Sequence, residues 1–164
     1  MNTRNWKELL KQAYEAAEKS PDQTTKVGAV LVNDNGEVLS TGYNGFPIGI
    51  EFKPERIERP LKYKYFEHAE RRALFEAVRS GVDVKGLTLV CPWAACTECA
   101  RAIILLGVKK VVVHKQALEK SADHWVEDIA IAHSMLREAG VEIVEFDGEV
   151  GYGKALINSV EWSA

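Results

Sequence analysis

Two short motifs constrain this chain more than anything else in it: His68-Ala69-Glu70 and Cys96-Thr97-Glu98-Cys99. One imidazole and two thiols are the ligand set of a zinc ion that keeps one coordination position open for water. Glu70, two positions after the histidine, is not needed as a ligand and stands within reach of that open position. A structural zinc would want four protein ligands. The chain holds three cysteines, Cys91, Cys96 and Cys99, so no fourth thiol completes the pattern. His114, His124 and His133 could supply a fourth ligand only from outside the motif. A redox reading of the C-x-x-C explains two thiols and leaves His68 and Glu70 idle.

Zinc bound by three residues lowers the pKa of a water in its open position toward about 7. Glu70 could take that proton and pass it on. His68 and Cys96 both fall where helices are expected to start, and Cys96 and Cys99, three apart, share one face of the first turn. A helix N-terminus carries partial positive charge, which favours the thiolate that a metal requires.

The elements around these motifs follow from periodicity. Arg4 to Lys19 places Trp6, Leu9, Leu10, Ala13, Ala16 and Ala17 at helical spacing, with Pro21 just beyond. Val27 to Val32, a turn at Asn33-Asp34-Asn35-Gly36, and Glu37 to Thr41 read as a β-hairpin. Gly42 to Pro60, with three glycines and three prolines, reads as a long loop. Helices are expected over His68–Arg79, Cys96–Leu106 (closed by Gly107) and Asp123–Ala139, and strands over Leu87–Cys91, Lys110–His114 and Val141–Phe146. Lys154 to Ser159 reads as a short helix. The order α-β-β-α-β-α-β-α-β predicts an α/β fold, a mixed five-stranded sheet with helices on both faces, antiparallel at the opening hairpin and parallel toward the end.

Length and charge narrow the function classes. At 164 residues, residues 1–164 form one expected domain with room for a core. A net charge of -3 argues against a general nucleic-acid binder, which carries a basic footprint, but not against one phosphate held by a few local cations. Lys26, Arg56, Arg59, Lys62 and Lys64 are candidates for that phosphate, interleaved with Glu51, Glu55, Glu58 and Glu67. Clustered cysteines, no apolar run of signal-peptide type and no membrane-length apolar stretch predict a cytoplasmic protein. Cys91 reads as a small buried residue at a strand end.

At these motifs the chain resembles the cytidine and deoxycytidylate deaminase superfamily, over roughly Trp6 to Phe146. Thr25-Lys26-Val27-Gly28-Ala29-Val30 resembles the strand that lines the family's base pocket. Gly42-Tyr43-Asn44-Gly45-Phe46-Pro47, and Lys62-Tyr63 before the histidine, resemble the deoxycytidylate branch. The resemblance implies a three-layer α-β-α sandwich, one catalytic zinc per chain, and hydrolysis of dCMP to dUMP and ammonia. Carried over residue by residue, it implies that His68, Cys96 and Cys99 bind zinc and Glu70 shuttles protons. Asn44 would then hydrogen-bond sugar or base, Val27 would pack on the base, the Ala69 N–H would meet the pyrimidine carbonyl, and Lys26 would join the substrate contacts. It further implies a homo-oligomer, often a hexamer, with dCTP and dTTP as effectors. The chain departs from the family at Ala95, where a proline usually precedes the first cysteine, and at Arg72, where an asparagine is usual; the segment from His114 to Ala130 is also longer than expected and reads as a solvated loop anchored by Trp125. Alternatives are deamination of cytidine, deoxycytidine, guanine or a riboflavin-pathway pyrimidine, and a non-catalytic zinc-stabilised module on the same fold.

Overall fold

A computed structural model describes residues 3–93 and 95–164. Helix α1 (Thr3–Ala17) buries Trp6, Leu9, Leu10, Ala13 and Ala17 of the expected stripe, with Tyr14 buried beside them and Ala16 only half-buried. Strand β1 (Gly28–Val32) is buried along its whole length because it has a neighbour on each side. It pairs antiparallel with β2 (Val38–Tyr43), with an irregularity between Leu31 and Val32, and antiparallel with β3 (Thr88–Val90). Strands β4 (Lys110–His114) and β5 (Glu142–Phe146) continue the sheet in parallel, for a spatial order of β2-β1-β3-β4-β5. The mixed five-stranded sheet is therefore as expected.

Alternation along the strands builds two cores, since successive side chains point to opposite faces. Ala29, Leu31, Leu89, Val111 and Val113 pack against α3 (Ala69–Arg79), α4 (Thr97–Leu105) and α6 (Asp123–Glu138). Val30, Val32, Val90 and Val112 pack against α1 and the C-terminal residues Val150, Ala155 and Ala164. Two strand glycines let helices sit on the sheet. A Cβ at Gly28 would lie 1.9 Å from the Ala13 carbonyl oxygen, and one at Gly42 would lie 2.2 Å from that of Ala69.

Three expectations are corrected. Lys154 to Ser159 is not a helix: β6 (Ala155–Ile157) and β7 (Val160–Trp162) form a hairpin. Asn158 and Ser159, at φ 52° and 65°, make its left-handed two-residue turn, which no α-helix admits, and Ala155 and Ile157 bury one side at a period of two. The 42–60 loop loses its first residues to β2 and contains a 3₁₀ turn at Pro54–Ile57; a short helix α2 (Lys62–Tyr65) follows it. The segment from His114 to Ala130 is not a solvated loop: it opens with an unexpected helix α5 (Lys115–Leu118), and α6 begins at Asp123 as expected. Among the described residues no helix is long and apolar enough to cross a membrane.

Candidate active site

His68 and Cys96 are the N-cap residues of α3 and α4, both in extended backbone conformation. Each helix start therefore points its first-turn side chains at the other. The His68 Nδ1 lies 3.2 Å from the Cys96 Sγ and 3.5 Å from the Cys99 Sγ. Zinc–nitrogen and zinc–sulfur bonds of about 2.0 and 2.3 Å in a tetrahedron put these ligand atoms roughly 3.5 Å apart, so the spacing of the imidazole from the two thiols suits zinc. No other cluster of three such ligands occurs among the described residues. His114 and His133 are buried elsewhere, and His124 stands at the cavity without joining the cluster.

The α4 end is held from outside. Asp128 on α6 accepts from the Thr97 N–H and the Thr97 hydroxyl, each at 2.9 Å, and so satisfies a donor that the helix itself leaves unpaired. The loop before Cys96 lacks the usual proline, and Ala94 within it lies outside the described residues. Hydrogen bonds tie its first residues down: Cys91 N–H to the Val112 carbonyl, His114 N–H to the Pro92 carbonyl, and the Trp93 indole to the Ser121 hydroxyl at 2.6 Å. Ala95 is buried in the core, and Cys91 sits buried at the strand end, as expected. Arg72 is used within the chain, donating to the Phe46 carbonyl at 2.8 Å and lying 4.0 Å over the Tyr43 ring.

The three ligand candidates polarise one another. The hydrogen bond from Cys99 pulls the Cys96 thiol down to about 4 against the effect of burial, with His68 adding to the pull. The Cys99 thiol is held well above its ordinary value by that same bond and by burial. His68 is pushed up to about 9, chiefly by its bond to Cys96. Ligation needs both thiols and the imidazole nitrogen deprotonated, so a cation entering the cluster would displace the protons they carry. Burial pushes the Glu70 carboxyl up to about 7, opposed by the His68 charge. A carboxyl poised there can both accept and deliver a proton near neutrality.

His68, Ala69, Glu70, Cys96, Val27 and Asn44 line one cavity, and Cys99 lies buried directly behind it. Asn44 is the keystone of one wall: its carbonyl oxygen accepts from the Val27 N–H at 2.8 Å and its amide donates to the Thr25 carbonyl at 2.9 Å. Lys26 is not in this cavity but lines a second one with Tyr14, Tyr152 and Lys154. Of the five cations considered for a phosphate, Arg59 and Lys62 border the first cavity, and Lys62 is already paired with Asp22. Sequence reasoning missed the aromatic walls, Phe66, Trp93 and Trp125, whose indole stands edge-on to the His68 ring at 6.4 Å. It also missed Asn158, which had no local signal at all.

Comparison with known proteins agrees with this geometry. The cytidine and deoxycytidylate deaminase zinc-binding region matches residues 3–115. The deoxycytidylate deaminase of Mus musculus is 32% identical over 160 residues, covering 93% of this chain and 85% of the mouse protein. That of Homo sapiens is 32% identical over 148 residues, covering 86% and 79%. The crystal structure of dCMP deaminase from the cyanophage S-TIM5, in complex with dCMP and dUMP, superposes with a TM-score of 0.71 at 26% identity, covering 89% of this chain and 99% of that one.

Proposed function

The chain belongs to the cytidine and deoxycytidylate deaminase family, and on that premise we propose that it deaminates a free cytosine nucleotide, converting dCMP to dUMP and ammonia. The observation that carries this reading is the convergence of His68, Cys96 and Cys99 with the buried Glu70 carboxyl at the floor of one cavity. The identity of the substrate is supported by the relatives named deoxycytidylate deaminase and by the cyanophage enzyme, which holds dCMP and dUMP.

His68, Cys96 and Cys99 would hold one zinc per chain, which supplies a Lewis acid that makes water a nucleophile near neutral pH. Val27, Phe66, Trp93, Trp125 and Ile129 enclose the base and exclude bulk water. The Ala69 N–H, at the start of α3, meets the pyrimidine carbonyl. Asn44 keeps the Thr25–Val27 wall in place and carries one further amide proton for the sugar. Glu70 takes the proton of the attacking water, protonates the ring nitrogen, and then delivers a proton to the departing ammonia.

The test is a substrate panel. Zinc-loaded protein is given dCMP, dCTP, cytidine, deoxycytidine or guanine, and ultraviolet absorbance and ammonia are followed. Turnover is expected with dCMP first. Zinc-bound protein that releases ammonia from none of them overturns the reading. Family membership also supports a homo-oligomer, a hexamer among the forms, with dCTP and dTTP as effectors. The exposed apolar side chains of Ile48, Ile50 and Phe52, with Phe75 and Val78 on α3, are surface suited to association. Sedimentation with and without each triphosphate checks both.

A further inference from the structure

The geometry points to the C-terminal hairpin as a working wall of the substrate site: we propose that Asn158, at its tip, is a binding residue for the phosphate end of the nucleotide. This rests on the nucleotide reading above and extends it to a segment beyond the residues 3–115 that match the family.

The hairpin is stitched to the cavity wall by three backbone donors. Lys26 N–H donates to the Leu156 carbonyl at 3.0 Å, Ser159 N–H to the Thr24 carbonyl at 2.7 Å, and Asn158 N–H to the Thr25 hydroxyl at 3.0 Å. Thr25 itself borders the cavity and is gripped from the other side by Asn44. Asn158 is thus placed beside the wall that contacts the base. It holds a left-handed φ of 52°, a conformation that Asn tolerates better than most residues, and it borders the cavity at its rim. One amide proton goes to the Lys120 carbonyl at 3.3 Å, which steadies the side chain, and the amide has a second proton to give.

Burial sets the direction of the cavity. Ala69, Glu70 and Cys96 are buried at its floor, whereas Arg59, Tyr63, His124 and Asn158 are exposed at its rim. A base whose reacting carbon meets Glu70 therefore leaves its sugar and phosphate at the rim. The acids that border the cavity are Glu70, at the floor, and Asp22, which is paired with Lys62. The rim accordingly presents a guanidinium, an imidazole and an amide to a phosphate, with the Arg59 guanidinium braced 5.8 Å over the Tyr63 ring.

The test uses the full-length zinc-loaded protein with Asn158→Asp and Asn158→Gly. Both replacements accept left-handed backbone, so the turn is kept, and circular dichroism and bound zinc verify the fold. Each protein is titrated with dUMP and with deoxyuridine, read by the fluorescence of Trp93 and Trp125, which both line the cavity. Wild type should prefer the nucleotide. Asn158→Asp, which sets a carboxylate against the phosphate, should lose about tenfold or more of that preference, and Asn158→Gly a smaller part, with deoxyuridine affinity little changed. Wild type with no preference for dUMP sinks the nucleotide reading and this inference with it. A wild-type preference that survives in both variants overturns the role of Asn158 alone. Should the aspartate disturb the fold, the glycine variant decides.

Discussion

Lys62 and Asp22 meet in a 2.9 Å ion pair with less than a tenth of either side chain exposed. Asp22 also accepts from the Thr24 N–H, the Thr24 hydroxyl and the Thr25 N–H, so one carboxylate ties α2 to the turn that leads into the cavity wall. Burial works to raise the Asp22 carboxyl, but the Thr24 bond and Lys62 outweigh it and hold the group below its ordinary value. A buried pair is costly to break because the survivor is left charged and unpaired. Lys62→Met should therefore cost about 3–5 kcal/mol in denaturant unfolding, and adding Asp22→Asn should return part of that loss. Simple addition of the two costs would show that the pair is not coupled.

Glu70 lies beside the ligand cluster without belonging to it. Glu70→Gln keeps the shape and removes the proton carrier. Zinc content, measured by atomic absorption, should stay at the wild-type level while kcat falls about 10²–10⁴-fold. With the carboxyl near 7, the wild-type rate should also change with pH around neutrality. Full activity in the glutamine variant would remove Glu70 from the chemistry.

Gly42 is where the site leans on the sheet. An alanine there would drive its Cβ to 2.2 Å from the Ala69 carbonyl oxygen and 2.5 Å from the Ala73 nitrogen, both in the backbone of α3. Gly42→Ala should destabilise by about 1–3 kcal/mol or more, and it should lower zinc content because His68 caps the displaced helix. Gly153→Ala, which meets nothing within 4 Å, is the control that should change neither.

His114 gives a pH dependence with a definite sign. Its Nε2 lies 2.8 Å from the Gly148 carbonyl, which can only accept, so Nε2 carries the proton and Nδ1 accepts from the Tyr14 hydroxyl at 2.7 Å. Burial lowers the pKa of this ring, and the Gly148 bond only partly opposes it. The unfolded chain, with an imidazole pKa of about 6.5, therefore binds more protons over the interval between the two values. The stabilising contribution is complete above that value and is lost as pH falls through it toward the lower folded value. Tm should drop across that window. Tyr14→Phe should cost about 1–3 kcal/mol at neutral pH and flatten the slope, because the neutral ring loses its donor. Thermal unfolding of both proteins against pH is the check, and an unchanged slope would refute the assigned tautomer.

The metal-ligand candidates were legible in the sequence because their information is local. Zinc selects ligand types, and the spacings of His68 with Glu70 and of Cys96 with Cys99 select helix starts. Much of the sheet was legible for a similar reason: the five-residue runs that became β1 and β4 are long enough, and Val-rich enough, to show strand character. The hairpin at Ala155–Trp162 was not, since three residues on either side of a turn carry too short a pattern to tell a period of two from one of 3.6.

Sequence alone thus determined which side chains gather around the floor of the cavity and the layered sheet that supports them. The tertiary structure decided the rest of the site. It sent Lys26 to a second cavity and neutralised Lys62 with Asp22. It also turned Trp125 toward His68 and carried Asn158 back to Thr25 across 133 positions. The physical reason is range: ligand type and helix capping are read within a few residues, whereas the walls and rim exist only once distant segments have been brought together and the energy of their contacts outweighs the entropy of holding them there.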